Sequence, residues 1–95
     1  MSTGLRVPRR CLGVRVRRVS GDLVLGVDDD GLELTDVAKL IYESADGRNR
    51  VADIADIVAA AYEADVTEVR DDVAEFLDVL VDRGVVEWTG EEPLR

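Results

Sequence analysis

The side chains that most often carry catalysis or bind metals are scarce in this sequence of 95 residues, which has no histidine and one cysteine, Cys11. A Cys/His metal site and a disulfide within the chain are therefore excluded. Cys11 follows Arg9 and Arg10, whose positive charge could lower the pKa of the thiol. No histidine can act as its base, and no glycine-rich phosphate loop occurs. The sequence thus predicts a protein that is not an enzyme and has no cofactor.

Three consecutive aspartates, Asp28, Asp29 and Asp30, form the densest group of possible metal ligands. Calcium prefers carboxylate oxygens of this kind, but an EF-hand loop alternates its ligands and needs a glutamate at its twelfth position. Counting from Asp28, that position is Lys39. We therefore interpret the aspartates as an acidic hairpin turn that ends in Asp30-Gly31, and we expect no metal site.

Charge is divided unevenly along the chain. The formal net charge is −9, yet residues 1–20 contain six arginines and no acid, and all 21 acids follow them. One interpretation is a solvated acidic surface with a basic arm. The other is a partner protein that docks on the basic end, for which we select Arg15, Arg17 and Arg18. The acidic remainder argues against nucleic acid, because phosphate binding needs clustered positive charge on the docking face.

The first half of the chain predicts three short strands. Residues 14–19 begin with alternating apolar and charged side chains, which indicates a half-buried strand. Residues 23–27 follow a Ser-Gly-Asp turn, and residues 32–34 follow the Asp-Gly pair typical of hairpins. We expect an antiparallel meander. Residues 1–13 lack periodicity and are interpreted as a mobile basic arm, and residues 89–95 as a frayed tail.

The second half predicts three helices, over residues 36–45, 51–62 and 67–83. The last has the clearest apolar stripe, with Thr67 as its expected N-cap and Gly84 at its end. On the middle helix the residues expected to be buried are Ile54, Ile57, Val58 and Ala61. The fold class is therefore α+β, resembling a winged helix-turn-helix with a three-stranded antiparallel meander followed by three helices. The stripe on the last helix comprises Val69, Val73, Phe76, Leu77, Leu80 and Val81.

The order and spacing of these features resemble the PqqD-like family, the pyrroloquinoline-quinone biosynthesis protein D type of precursor-peptide recognition element. In that family, a three-stranded meander leads into a helix with a Leu-polar-x-x-Ala-x-x-Ile pattern that ends in Asp-Gly. The corresponding residues are Leu34, Thr35, Ala38, Ile41, Asp46 and Gly47. The family's last helix is matched by Val69, Asp72, Val73, Phe76, Leu77 and Leu80, followed by Gly84. The resemblance covers residues 14–88.

This resemblance implies a peptide-binding module that holds the leader segment of a ribosomally made precursor peptide. Such modules present the leader to a modifying enzyme, such as a radical S-adenosylmethionine protein or a leader protease. The leader would add as a strand to the third strand and place its side chains beside the last helix. The implied contacts are Asp30, Gly31, Leu32, Glu33 and Leu34 on the strand, and Val69, Arg70, Val73 and Leu77 on the helix.

For several of these positions a structural role is an open alternative. Arg70 could pair with a leader carboxylate or with its neighbours Glu68 and Asp71. Val73 and Leu77 could simply belong to the core. Two other classes of protein are kept beside peptide recognition. They are a winged-helix DNA-binding protein and a small acidic carrier or adaptor, although no serine has the context of a carrier attachment site. We expect a cytoplasmic protein without a membrane span.

Overall fold

The computed structural model describes residues 5–27 and 30–89. Five strands and three helices lie within them, which confirms the predicted α+β class with a three-stranded antiparallel sheet and three helices. No helix of the described part is long and apolar enough to cross a membrane. Along the chain the elements are β1 (Val7–Arg10), β2 (Arg15–Val19), β3 (Asp22–Val27), β4 (Asp30–Leu34), α1 (Asp36–Ser44), α2 (Val51–Tyr62), α3 (Val66–Asp82) and β5 (Val86–Thr89).

The predicted meander is the sheet β2-β3-β4, in which both pairs are antiparallel. Leu23 and Leu25 of β3 lie opposite Leu34 and Leu32 of β4, so these four leucines share one face. That face packs on the helices, and Leu23, Leu25 and Leu34 are buried there. Because β3 is central, β2 and β4 each have one unpaired edge within the described residues. The hairpin turn was predicted over residues 28–31, and Asp28 and Asp29 lie outside the described residues. Asp30 and Gly31 do not belong to a turn: they begin β4 and lie opposite Val27 and Gly26.

The amino-terminal segment differs from the prediction. Val7–Arg10, expected to belong to a mobile arm, forms β1 and pairs antiparallel with β5. Pro8 is fully buried, and the backbone N–H of Cys11 donates to the carbonyl of Val85 at 3.0 Å. At the other end of β5, the Thr89 hydroxyl donates to the Val7 carbonyl at 3.1 Å, so Thr89 belongs to this sheet rather than to a tail. The remainder of the predicted arm and tail, residues 1–4 and 90–95, lies outside the described residues.

Removing residues 1–10 should therefore destabilise the domain. Among the described residues, the truncation deletes the one strand that pairs with β5, and it exposes the surface that Pro8 covers. Backbone hydrogen bonds contribute roughly 1 kcal/mol each, so we expect a loss of at least about 2 kcal/mol in urea unfolding. As a control, Glu87→Gln removes only the exposed Arg9–Glu87 ion pair and should cost less than about 1 kcal/mol. An unchanged urea midpoint for the truncated protein would restore the interpretation as an arm.

Helix α3 follows the predicted pattern closely. Val69, Val73, Leu77 and Leu80 are buried on one side of the helix. Its start differs, because the N-cap is Asp65, whose carboxylate accepts a hydrogen bond from the Thr67 N–H at 2.8 Å. Its end is as expected: Gly84 has a φ of +80°, and Val85 N–H donates to the Leu80 carbonyl at 3.1 Å. This bond closes a glycine-terminated helix end of the Schellman type.

Helix α2 is rotated relative to the prediction. Ile54 and Val58 are buried as expected, whereas Ile57 and Ala61 are exposed. Val51, Ala55 and Ala59 take their places in the core. The difference arises because this helix is apolar on most of its circumference, so the sequence pattern does not single out one buried face.

Candidate functional site

An apolar groove of about 500 Å³ lies where the three helices converge. Helix α1 forms one wall, the first half of α3 forms the other, and the carboxyl end of α2 closes the groove at one end. It is lined by Asp36, Val37, Ala38, Ile41, Val58, Tyr62, Ala64, Val69, Asp72, Val73 and Phe76. Most of these side chains are apolar, so the groove offers a surface for hydrophobic side chains of a ligand.

Helical spacing and chain connectivity explain how the groove is assembled. Val69, Val73 and Phe76 are four and three residues apart on α3, which aligns them on one face. The opposite wall begins at Asp36, two residues after β4 ends at Leu34. Strand β4 therefore directly precedes the α1 wall along the chain, although no residue of β4 is among the lining residues. Val69 and Val73 were predicted from the sequence, whereas the α1 wall was not, although Val37 and Ile41 lie on the apolar side of that helix.

The predicted strand contacts differ in their exposure. Gly31 and Glu33 are exposed, Leu32 is half-buried, and Leu34 is buried against the helices. Asp30 is the first residue of β4 and lies opposite Val27 in the register. Side-chain contacts from this strand can therefore come from Leu32 and Glu33, while the edge itself offers backbone N–H and C=O groups.

Charge at the groove is negative. Asp36 and Asp72 are exposed members of the lining, and no lysine or arginine within residues 5–27 and 30–89 belongs to it. Arg70 is exposed on α3 outside the lining and forms no ion pair with any residue that the structure describes. The alternative pairing of Arg70 with Glu68 or Asp71 is thus not observed. Leu77 is fully buried and is likewise not a lining residue.

The three arginines selected for docking lie on β2, all of whose residues are exposed. Arg18 lies opposite Leu23, on the helix-facing side of the sheet, and its guanidinium is 3.4 Å from the Glu43 carboxylate of α1. Arg15 and Arg17 are on the opposite side, and neither forms an ion pair with another described residue. The sheet thus separates one partnered arginine from two arginines that face solvent.

Cys11 lies beside a second cavity, next to β2, and its environment does not activate the thiol. Burial raises the pKa of Cys11, the Glu87 carboxylate raises it further, and Arg9 counteracts this only in part. The sequence had suggested the opposite direction from the neighbouring arginines. A thiol with a raised pKa has little thiolate at neutral pH and is a weak nucleophile. Among the described residues, no group of three or more Cys, Asp or Glu side chains could hold a metal ion.

Residues 23–86 match the protein family described as coenzyme PQQ synthesis protein D (PqqD). The chain belongs to the PqqD family. This confirms the resemblance read from the last helix and the meander, over nearly the same residues. A curated relative, the bifunctional coenzyme PQQ synthesis protein C/D of Methylorubrum extorquens, is 34% identical over 87 residues. The match takes in 90% of this chain but only 23% of that bifunctional protein.

Solved structures support the PqqD fold. The PqqD truncation of Methylobacterium extorquens PqqCD, described as a functional and stand-alone recognition element for ribosomally synthesised, post-translationally modified peptides, is 34% identical with a TM-score of 0.71. That match covers 85% of this chain and 88% of the other. PqqD from Xanthomonas campestris is 30% identical with a TM-score of 0.55, covering 78% and 84% of the two chains.

A third structure shares the fold at lower identity. TbiB1 in complex with the TbiA(beta) leader peptide is 22% identical and has a TM-score of 0.74, covering 90% of this chain and 99% of that one. At this identity the comparison establishes the fold alone. This PqqD-family chain therefore shares its three-stranded sheet and three helices with proteins of the peptide-recognition class.

Proposed function

We propose that this chain is a non-catalytic recognition element that holds the leader of a ribosomally synthesised precursor peptide and presents it to a modifying enzyme. Two observations carry the proposal: β4 has an unpaired edge, and an apolar groove lies between α1 and α3, with its α1 wall beginning two residues after that strand. Support comes from two structural relatives: one is described as a functional recognition element, and the other is bound to a leader peptide. The comparisons offer no support for a DNA-binding protein or a carrier.

The leader adds to β4 as a further strand. Main-chain pairing along residues 30–34 demands little of the leader's sequence, so specificity comes from side chains that enter the groove. Leader side chains on one face of the added strand contact Val69 and Val73, together with Val37 from α1. Arg70, outside the groove lining, remains available for a leader carboxylate.

The size of the site supports moderate affinity. A few edge hydrogen bonds contribute roughly 1 kcal/mol each, and two or three buried leader side chains contribute about 1.5–3 kcal/mol each. Loss of rigid-body freedom and ordering of the peptide consume several kcal/mol of that sum. The upper end of the balance, near −8 kcal/mol, corresponds to a dissociation constant of about 1 μM.

The experiment is a titration of ¹⁵N-labelled protein with synthetic leaders taken from precursor genes that neighbour this one. Amide signals of residues 30–34, 36–41 and 69–76 should shift together. Shifts confined to β1 or to the middle of α2 would place the leader elsewhere. Absence of binding by every neighbouring leader would contradict the function itself.

The charge of the groove predicts which leaders bind best. Asp36 and Asp72 favour a leader with a lysine or arginine next to its apolar anchor, because none of the described lysines and arginines lies in the lining. Asp72→Lys should weaken the binding of such a leader about fivefold at low salt, because an exposed ion pair contributes about 1 kcal/mol. The control Asp78→Lys changes an exposed acid of α3 outside the groove and should leave the dissociation constant within a factor of about two.

A leader in which glutamate replaces the basic residue should bind the Asp72→Lys variant with restored affinity. Calorimetry at two salt concentrations measures this. If the variant binds the basic and acidic leaders in the same order as the native protein does, Asp72 plays no part in leader choice. That result would leave the peptide-binding function itself intact.

A further inference from the structure

The two open edges of the three-stranded sheet carry opposite charge. Strand β2 contains Arg15, Arg17 and Arg18 and no acid. Strand β4 contains Glu33 and no base, and α1 follows it with Asp36. Opposite charges on two edges of one sheet select different partners, because like charges on directly opposed strands are destabilising.

A second cavity, of about 510 Å³, lies beside β2. The connection between β1 and β2 forms its outer wall, and α1 forms its inner wall. Two apolar residues of this region lie outside the core and are exposed to solvent: Leu12 is 100% exposed and Val16 is 49% exposed. The lining comprises Arg9, Arg10, Cys11, Leu12, Gly13, Val14, Val16, Arg18, Leu23, Tyr42, Glu43 and Ala45.

Intramolecular contacts compensate only part of the positive charge around this cavity. Arg9 pairs with Glu87, and Arg18 pairs with Glu43. Arg10 donates to the Glu43 carbonyl at 2.6 Å and faces the Tyr42 ring at 5.9 Å, and its charge adds to the backbone hydrogen bonds that lower the pKa of Asp46. Arg15 and Arg17, on the opposite face of β2, form no ion pair with any described residue. The region therefore presents uncompensated positive charge next to exposed apolar side chains.

We propose that the β2 edge binds an acidic, extended segment of a partner protein, which pairs with β2 and places an apolar side chain in the cavity. Charge complementarity with Arg15 and Arg17 determines the sign of the segment, and Val14 and Val16 provide the apolar contact. Two copies joined through their β2 strands would bring arginines together, which disfavours that arrangement. The inference goes beyond leader recognition, since it gives the domain a second edge that works whether or not β4 is occupied.

The test uses short synthetic peptides as probes of the full chain. A peptide of alternating valine and glutamate should shift the amide signals of residues 9–19 and 42–45 at low salt. A matched peptide of alternating valine and lysine should leave them unshifted. A peptide of glutamate and serine, with the same charge and no apolar side chain, should bind at least about fivefold more weakly, because it leaves the cavity unfilled.

Matched variants locate the contact. Arg15→Glu combined with Arg17→Glu should weaken the binding of the valine–glutamate peptide at least about tenfold. Both side chains are exposed, and replacing them breaks no ion pair described in the fold. Arg18 is left unchanged, because its loss would free Glu43. The control Arg48→Glu, on the exposed loop after α1, should change affinity by less than about twofold.

Several outcomes would overturn the proposal. In one, the glutamate–serine peptide binds as tightly as the valine–glutamate peptide. In another, Arg48→Glu weakens binding as much as the Arg15→Glu/Arg17→Glu variant does. In a third, the peptide shifts the amide signals of residues 30–34 instead of those of β2. A further contrary result is a dimer of the protein alone, in sedimentation, that dissociates in the Arg15→Glu/Arg17→Glu variant. In that case the β2 edge belongs to a second copy of this chain. None of these results depends on whether a leader binds β4.

Discussion

Replacing Val37 with glutamate should weaken leader binding at least about tenfold, equivalent to about 1.4 kcal/mol, and leave the thermal midpoint nearly unchanged. Val37 lines the groove from α1 and is 39% exposed, so the substitution removes apolar contact without opening the core. It also adds a third carboxylate beside Asp36 and Asp72, and an apolar leader side chain would have to desolvate it. Calorimetric titration with the leader and a thermal melt together test this prediction.

The control for this experiment is Val79→Glu. Val79 is on α3, is 46% exposed and is not a lining residue of the groove, so the chemistry is the same at a comparable degree of exposure. Its leader affinity should match that of the native protein. If both variants weaken binding equally, the effect is one of net charge. If neither does, the leader does not use this groove.

Leu77→Ala should lower the free energy of unfolding by about 2–5 kcal/mol, the range for removing a fully buried leucine. Leu77 has no exposed surface and contributes to the common core of helices and sheets. In a domain whose total stability is about 5–15 kcal/mol, this is a large fraction. Urea unfolding monitored by circular dichroism measures it. The leader affinity of the folded fraction should stay within about twofold, since the side chain does not line the groove.

Leu77→Met provides the matched substitution, because it conserves volume and should cost less than about 1.5 kcal/mol. A large loss of leader affinity in Leu77→Ala at full folding would instead assign Leu77 to the peptide site. Val73 is a poor position for a charge-introducing test of the groove. It lines the groove but is only 1% exposed, so aspartate there would place a carboxylate in the core and unfold the domain.

The sequence alone determined the elements whose apolar residues have one clear period. Helix α3 has apolar residues three and four apart with acids between them, so only one face can be buried, and the structure buries that face. The apolar face of β3 and β4 was also predictable, because Leu23, Leu25, Leu32 and Leu34 recur at every second residue, but the start of β4 at Asp30 was not. These elements also contain the residues whose order and spacing resemble the PqqD family, and the family was therefore recognisable from them.

Tertiary structure alone decided the features that depend on residues far apart in the chain. Val7–Arg10 has no pattern of its own and becomes a strand because β5, nearly eighty residues later, pairs with one of its edges while residues 45–47 bond to the other. Helix α2 is apolar on most of its surface, so which of its faces is buried depends on how the neighbouring helices pack against it. The α1 wall of the groove likewise exists only where α1 packs near α3. The local periodicity of apolar residues indicates which face of a helix or strand is buried. A binding groove forms where neighbouring elements leave part of such an apolar face exposed, and this depends on how the elements pack.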